Sequence, residues 1–150
     1  MIPTHQPLVT VVTPVYNGEK YLAECIESVL AQTYANWEYY IVNNRSTDRT
    51  LSIAESYASK DARIRVITNS EFVSRGENHN IAFRQVSQNS KYCKMVHADD
   101  WLFPECISKM VELAEANPTV AVVGAYGRRN DRVVWGGLRY PSSFMSGGAV

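Results

Sequence analysis

Cysteine is scarce: Cys25, Cys93 and Cys106 are odd in number and show no Cys-x-x-Cys spacing. That argues against a disulfide framework or a thiolate zinc site, and leaves three small apolar groups suited to a reducing compartment, so a cytoplasmic location is expected. Charge of one sign is missing too, since 15 Lys+Arg meet 15 Asp+Glu for a formal net charge of +0. No global field exists to recruit nucleic acid or an acidic membrane. No apolar run approaches the length of a bilayer span, and the short polar start from Met1 to Pro7 reads as neither export signal nor membrane segment. Gly-x-Gly-x-x-Gly after the first β-branched run, Gly-Lys-Ser/Thr and Gly-x-Ser-x-Gly are all absent. A dinucleotide-dependent oxidoreductase, a P-loop ATPase and an α/β-hydrolase therefore lose ground.

What is present reads as one domain of 150 residues, 45% hydrophobic and 20% charged, able to bury a core without staples. Leu8 to Thr13 is a β-branched run stopped by Pro14, the signature of a first strand buried on both faces. Leu22, Cys25, Ile26, Val29 and Leu30 then recur at helical spacing, with Asn17 as cap and an end near Gln32. Trp37 to Val42 is a second strand. A second helix follows, capped by Ser46 or Thr47, with Leu51, Ala54, Tyr57 and Ala58 on one face. Ile64 to Thr68 is a third strand, and Asn69 to Asn78 a long loop of the kind more often functional than idle. A third helix around Asn78 to Gln88 carries Ile81, Ala82, Gln85 and Val86. A fourth strand ends in Met95 and Val96, and a helix from Pro104 buries Ile107, Met110, Val111 and Ala114 before Asn117-Pro118 stops it. Val120 to Ala125 is expected as a fifth strand, with Val133 to Trp135 pairing back on it across Asn130-Asp131. The Ser- and Gly-rich stretch 140–150 reads as a flexible tail.

Strands separated by single helices imply right-handed β-α-β units, hence an α/β fold with a mainly parallel sheet and helices on both faces. Ligands bind such sheets beyond the carboxyl ends of the strands, where strand order reverses. Pro14 to Asn17, Asn43 to Asp48 and His97 to Asp100 are polar clusters at such ends, and folding should bring them onto one edge.

Asp99-Asp100 repel each other unless a cation or donors compensate, and carboxylates at this edge suit Mg²⁺ or Mn²⁺ bridging substrate phosphates. The competing reading is an Asx turn leading into the Pro104 helix. His97 is a further ligand or a packing residue. Asn43-Asn44 offers amides to a nucleobase or ribose, or simply forms a turn. Asp48 reads as a first-turn carboxylate facing the helix dipole. Tyr16 can stack on a base or cover the core, Arg75 can pair with phosphate, and Arg128, Arg129, Arg132 and Arg139 read as a solvated face.

Val9 to Tyr21, Ser28 to Tyr34, Ser46-Thr47-Asp48 and Ala98-Asp99-Asp100 together resemble, in order and spacing, the family 2 glycosyltransferases of GT-A fold. The resemblance covers roughly residues 8 to 125. It implies a Rossmann-like nucleotide-binding half and an inverting transfer from a nucleotide-diphosphate sugar to a glycan, lipid or other hydroxyl acceptor. It also implies Mn²⁺ or Mg²⁺ neutralising the leaving diphosphate. Carried over by position, Pro14, Tyr16 and Asn44 contact the nucleoside, Asp99 faces the ribose and Asp100 holds the metal. The chain departs from the pattern in three ways. Asn43, Asn44 and Arg45 stand where the family usually has Asp-Asp-Gly. Of the family's Ala-Arg-Asn only the Asn is matched, by Asn80 after His79. Family members also run well beyond 150 residues, and the acceptor site and general base lie in that later half. The chain is thus expected to be a fragment or a naturally short relative, with the catalytic base unknown and another chain as a source of the missing half; homo-oligomerisation is a separate expectation. Two rivals stand beside this reading: a noncatalytic nucleotide-binding module that kept the fold, and a receiver-like domain. The receiver's acidic pair at the first strand end is replaced here by Thr13-Pro14.

Overall fold

The computed structural model describes residues 6–125, 127–129 and 132–134. The chain divides into a unit ending at Val111 and another beginning at Glu112. In the first unit β1 (Val9–Val15), β2 (Trp37–Asn43), β3 (Ile64–Thr68) and β4 (Tyr92–Met95) form one sheet in the order β3-β2-β1-β4. Every pairing in it is parallel. Helix α1 (Leu22–Leu30) follows β1, α2 (Thr50–Ala58) follows β2, α3 (Arg75–Phe83) follows β3, and α4 (Cys106–Ala116) follows β4. The chain steps outward from β1 to β3 and then crosses over to place β4 on the other side of β1. Strand order therefore reverses between β1 and β4.

Alternation along β1 explains its unbroken β-branched run. Val9, Val11 and Val15 enter one core with Leu22, Cys25, Ile26 and Val29 of α1, Ala54 of α2, and Ile107 and Val111 of α4. Val12 faces the other way, into a smaller core with Val42 and Ala82 of α3, against which Ile81, Val86 and Met95 pack. Both faces are covered, so neither tolerates a polar alternation, and each fully buried Val or Ile contributes roughly 1.5–3 kcal/mol. Thr10 and Thr13 are the buried polar residues of this run, and Thr13 bridges two strands. Its hydroxyl donates to the Val96 carbonyl at 2.8 Å and shares a 2.8 Å hydrogen bond with the Tyr39 hydroxyl, tying the end of β1 to the end of β4.

Several sequence expectations are corrected. Pro14 does not stop the first strand, because β1 runs through it to Val15. Val12 bonds toward β4 and Val15 toward β2, so Pro14 turns its missing N–H to the β4 side, where the β1–β4 pairing ends at Val12 and Met95 and the Thr13 hydroxyl, not a proline amide, satisfies the Val96 carbonyl. Asn17 does not cap α1, which begins five residues later. Asn17 stands at φ 49 and is used elsewhere. The third helix starts at Arg75 rather than near Asn78, because the Ser74 hydroxyl accepts the Glu77 N–H at 3.2 Å and caps it there. Finally, Val120 to Ala125 forms no strand. A β-branched run becomes a strand only where a paired edge and a covering layer meet it, and Val122 is 82% exposed. The antiparallel pair instead joins β5 (Gly127–Arg129) to β6 (Arg132–Val134), with Val133 opposite Arg128. Asn130, Asp131, Trp135, Arg139 and the stretch 140–150 lie outside the described residues.

Candidate functional site

The loops beyond the carboxyl ends of β1 and β2 are stitched together by the residues of the sequence motifs. Asn17 accepts the Thr47 N–H at 2.9 Å through Oδ1, while its own N–H donates to Ser46 Oγ at 3.0 Å. The Gly18 N–H donates to Thr50 Oγ1 at 2.8 Å, and the Glu19 N–H to Asp48 Oδ2 at 3.1 Å. Asp48 also accepts the Thr50 N–H at 2.9 Å. It sits just ahead of the α2 N-cap, Arg49, rather than in the first turn, which holds no acidic residue, so the first-turn reading is corrected. Neither Ser46 nor Thr47 caps α2. Burial acts to raise the Asp48 pKa, but the Thr50 hydroxyl and the Thr50 and Glu19 amides hold it below the usual carboxylate range. Gly18 is required by closeness: a Cβ there would stand 2.6 Å from Val15 Cγ2, inside the core.

At the end of β2, Asn43 closes a turn by accepting the Ser46 N–H at 3.1 Å. Asn44 is 2% exposed and reaches across to the β3–α3 loop. Its Nδ2 donates to the Val73 carbonyl at 2.8 Å, and its Oδ1 accepts the Val73 N–H and Asn69 Nδ2, each at 3.0 Å. Asn69 Nδ2 also donates to Asn78 Oδ1 at 2.9 Å, so three buried amides form one network under the loop. Arg45 adopts φ 55, a left-handed conformation that glycine accepts without cost, and donates to the Ser70 carbonyl at 3.0 Å.

Beyond β4 the polypeptide turns at His97, whose carbonyl accepts the Asp100 N–H at 3.0 Å. The turn is anchored from α1. Ser28 Oγ accepts the Leu102 N–H at 3.0 Å, and the buried Gln32 side chain donates to the Phe103 carbonyl at 2.8 Å while accepting the Ile107 N–H at 2.9 Å. Gln32 thereby satisfies an open amide in the first turn of α4. Cys25 donates to the His97 carbonyl at 3.4 Å, and burial pushes its thiol pKa up. A neutral thiol held in the core is a packing group, not a nucleophile.

These loops enclose a cleft of about 450 Å³ lined by Pro14, Tyr16, Asn44, Phe72, Arg75, Asn78, His79, His97 and Asp99, among others. The sequence candidates Pro14, Tyr16, Asn44, Arg75, His97 and Asp99 thus share one space. Asp100 is exposed and follows Asp99 without lining that space. His79 and His97 face each other with ring centroids 5.3 Å apart, and His79 Nδ1 lies 2.7 Å from the Arg75 carbonyl. Phe72, Asn78 and His79 also line the cleft, and no local pattern marks them beyond the length of the loop after β3. Of the two asparagines in α3, Asn78 turns inward, whereas Asn80 is exposed and donates to Glu77.

The cleft lies at the strand-order reversal between β1 and β4. The model for glycosyl transferase family 2 matches residues 10–147. The chain belongs to this family. An uncharacterized glycosyltransferase of Haemophilus influenzae is 38% identical over 120 residues, covering 80% of this chain and 36% of that protein. The uncharacterized glycosyltransferase EpsJ of Bacillus subtilis is 37% identical over 128 residues, covering 84% of this chain and 36% of that one. The chain thus spans 36% of the length of these two curated relatives. Among solved structures, the mannosyltransferase PcManGT of Pyrobaculum calidifontis, in complex with GDP-Man and Mn²⁺, matches with a TM-score of 0.73 and 26% identity. That match covers 84% of this chain and 37% of PcManGT. S. aureus TarS in complex with UDP-GlcNAc matches with a TM-score of 0.66 and 25% identity, covering 75% of this chain and 32% of that one. These GT-A neighbours share the α/β architecture, so fold class and family both stand as expected. Among the described residues, no helix is long and apolar enough to cross a membrane.

Proposed function

We propose that residues 1–150 are the nucleotide-sugar-binding part of a cytoplasmic enzyme that transfers a sugar, with inversion, from a nucleotide-diphosphate sugar to a hydroxyl acceptor. The observation that carries this reading is the convergence of Pro14, Tyr16, Asn44 and Asp99 on one cleft at the strand-order reversal. Pro14 and Tyr16 flank the nucleoside, Asn44 shapes its pocket and Asp99 faces the ribose. Solved relatives bound to UDP-GlcNAc and to GDP-Man with Mn²⁺ support a donor of this chemical class.

The donor set fits a hard cation. Among the described residues no cluster of three His, Cys, Asp or Glu side chains forms a protein cage. Asp99 lines the cleft and Asp100, exposed, follows it in the chain, and Mg²⁺ or Mn²⁺ characteristically takes one or two carboxylates and completes its shell with phosphate oxygens and water. Asp100 would hold the ion, which supplies Lewis-acid stabilisation of the departing diphosphate. The free cysteines fit a reducing compartment.

A thermal-shift panel of nucleoside diphosphates with and without Mn²⁺ tests the reading, since a ligand at a hundred times its Kd adds about 2.7 kcal/mol of stability. A shift that needs both nucleotide and cation is expected. No shift with any nucleotide would sink the donor-site reading, and turnover assays on likely donors then separate an enzyme from a binding module.

A further inference from the structure

Phe72 is the most conspicuous group that the motifs do not absorb. It is 59% exposed on the β3–α3 loop, yet its ring stands 4.9 Å from that of Tyr16, centroid to centroid, with the planes at 61°. Both rings line the cleft. An exposed phenylalanine on a polar loop gains little by itself, so its seat against a second half-exposed ring is what needs a reason. The loop does not leave this placement to chance. Asn44 holds Val73, the next residue, through both its N–H and its carbonyl, and Arg45 holds Ser70 from the other side. Phe72 is therefore presented from a segment clamped at both flanks.

The same clamp occupies Asn44. Its Oδ1 already accepts two hydrogen bonds and its Nδ2 already donates one, so a single N–H is left to offer. An amide so engaged is a poor reader of a base edge that must itself donate. Two rings meeting at an angle, by contrast, make a corner in which a flat heterocycle lies against one face and meets the edge of the other, and every nucleobase has such a face.

We infer that Phe72 is a donor-binding residue that grips the nucleobase, whichever base it is, together with Tyr16, from a loop that Asn44 and Arg45 hold in place. The inference rests on the donor-site reading above. Stacking follows the base's π-face rather than its hydrogen-bonding pattern, so the contribution of Phe72 is similar for uracil and guanine.

Isothermal titration in the presence of Mn²⁺ tests this with UDP, GDP and base-free inorganic pyrophosphate, on the wild-type chain, Phe72→Ala and Phe72→Tyr. Phe72→Ala should weaken UDP and GDP by tenfold or more and by similar factors, leave pyrophosphate within twofold, and be rescued by Phe72→Tyr. Because Phe72 is exposed, the variant keeps its fold, which an unchanged melting temperature without ligand verifies. Equal binding of UDP by wild type and Phe72→Ala overturns the assignment while sparing the donor site. A loss confined to one base points to edge reading and overturns it as well. If wild type binds no nucleotide, the donor-site reading falls and takes this inference with it.

Discussion

The carboxamide of Asn44 grips the main chain of Val73 on both sides, donating to its carbonyl at 2.8 Å and accepting its N–H at 3.0 Å. One side chain at the end of β2 thereby does for the β3–α3 loop what a strand partner does in a sheet. Replacing it leaves Val73 and Asn69 with buried polar groups to satisfy. Asn44→Ala is expected to lower unfolding stability by about 2 kcal/mol, within the range for orphaned buried groups, and to speed proteolysis within residues 69–74. Urea denaturation and limited proteolysis check both. Unchanged cleavage would mean that the loop is held by other contacts.

Arg45 is the opposite case, a side chain in a backbone conformation that does not suit it. At φ 55 it occupies the position where the family usually has glycine, and a left-handed non-glycine residue costs roughly 1–2 kcal/mol. Its hydrogen bond to Ser70 returns part of that. Arg45→Gly is expected to raise stability by about 0.5–1 kcal/mol in chemical denaturation. A loss of similar size would show that the Ser70 contact outweighs the strain.

Asp48 sets an acid limit on the stitching of the two loops. Its folded pKa is depressed, because the donors from Thr50 and Glu19 overcome the opposing effect of burial. A carboxyl of this kind contributes stability that is present above its unfolded pKa of about 3.9 and lost as pH falls through its folded value. The stability gap between wild type and Asp48→Asn should therefore be constant near neutral pH and narrow below about pH 4. Denaturation midpoints from pH 7 to pH 3 measure it, and a gap independent of pH would dismiss the carboxylate as its source.

Asp100 carries the metal proposal. Asp100→Ala should abolish the Mn²⁺ dependence of nucleoside diphosphate binding and leave the melting temperature of the ligand-free chain nearly unchanged, because an exposed side chain away from the core holds little of the fold. Titration of UDP with and without Mn²⁺ decides it. Persisting dependence would put the cation on other groups.

How far the sequence carries depends on the kind of residue. Val9 to Val12, buried on both faces of a parallel strand, announce their environment by composition alone, as do the helical spacings of Leu22 to Leu30. Boundaries were harder. Pro14 looks like a stop because a single strand cannot show which side its missing N–H will face. Val120 to Ala125 looks like a strand because residue types do not reveal whether a partner edge exists. Asn17 looks like a cap, but its amide is drawn to Thr47, thirty positions on, by a contact no local window contains.

By itself the sequence determined the α/β class, the family, and which residue types stand at the strand ends, because periodicity and linked motifs are local and short-range chemistry enforces them. Only the tertiary structure decided that Asn44 spends its amide on Val73, that Asn78 rather than Asn80 turns inward, and that Phe72 meets Tyr16 at the cleft. Those outcomes follow from parallel pairing and from the crossover that sets β4 beside β1, which bring loops distant in the chain within hydrogen-bonding reach. Such reach is a property of distance in space, and no spacing along the chain encodes it.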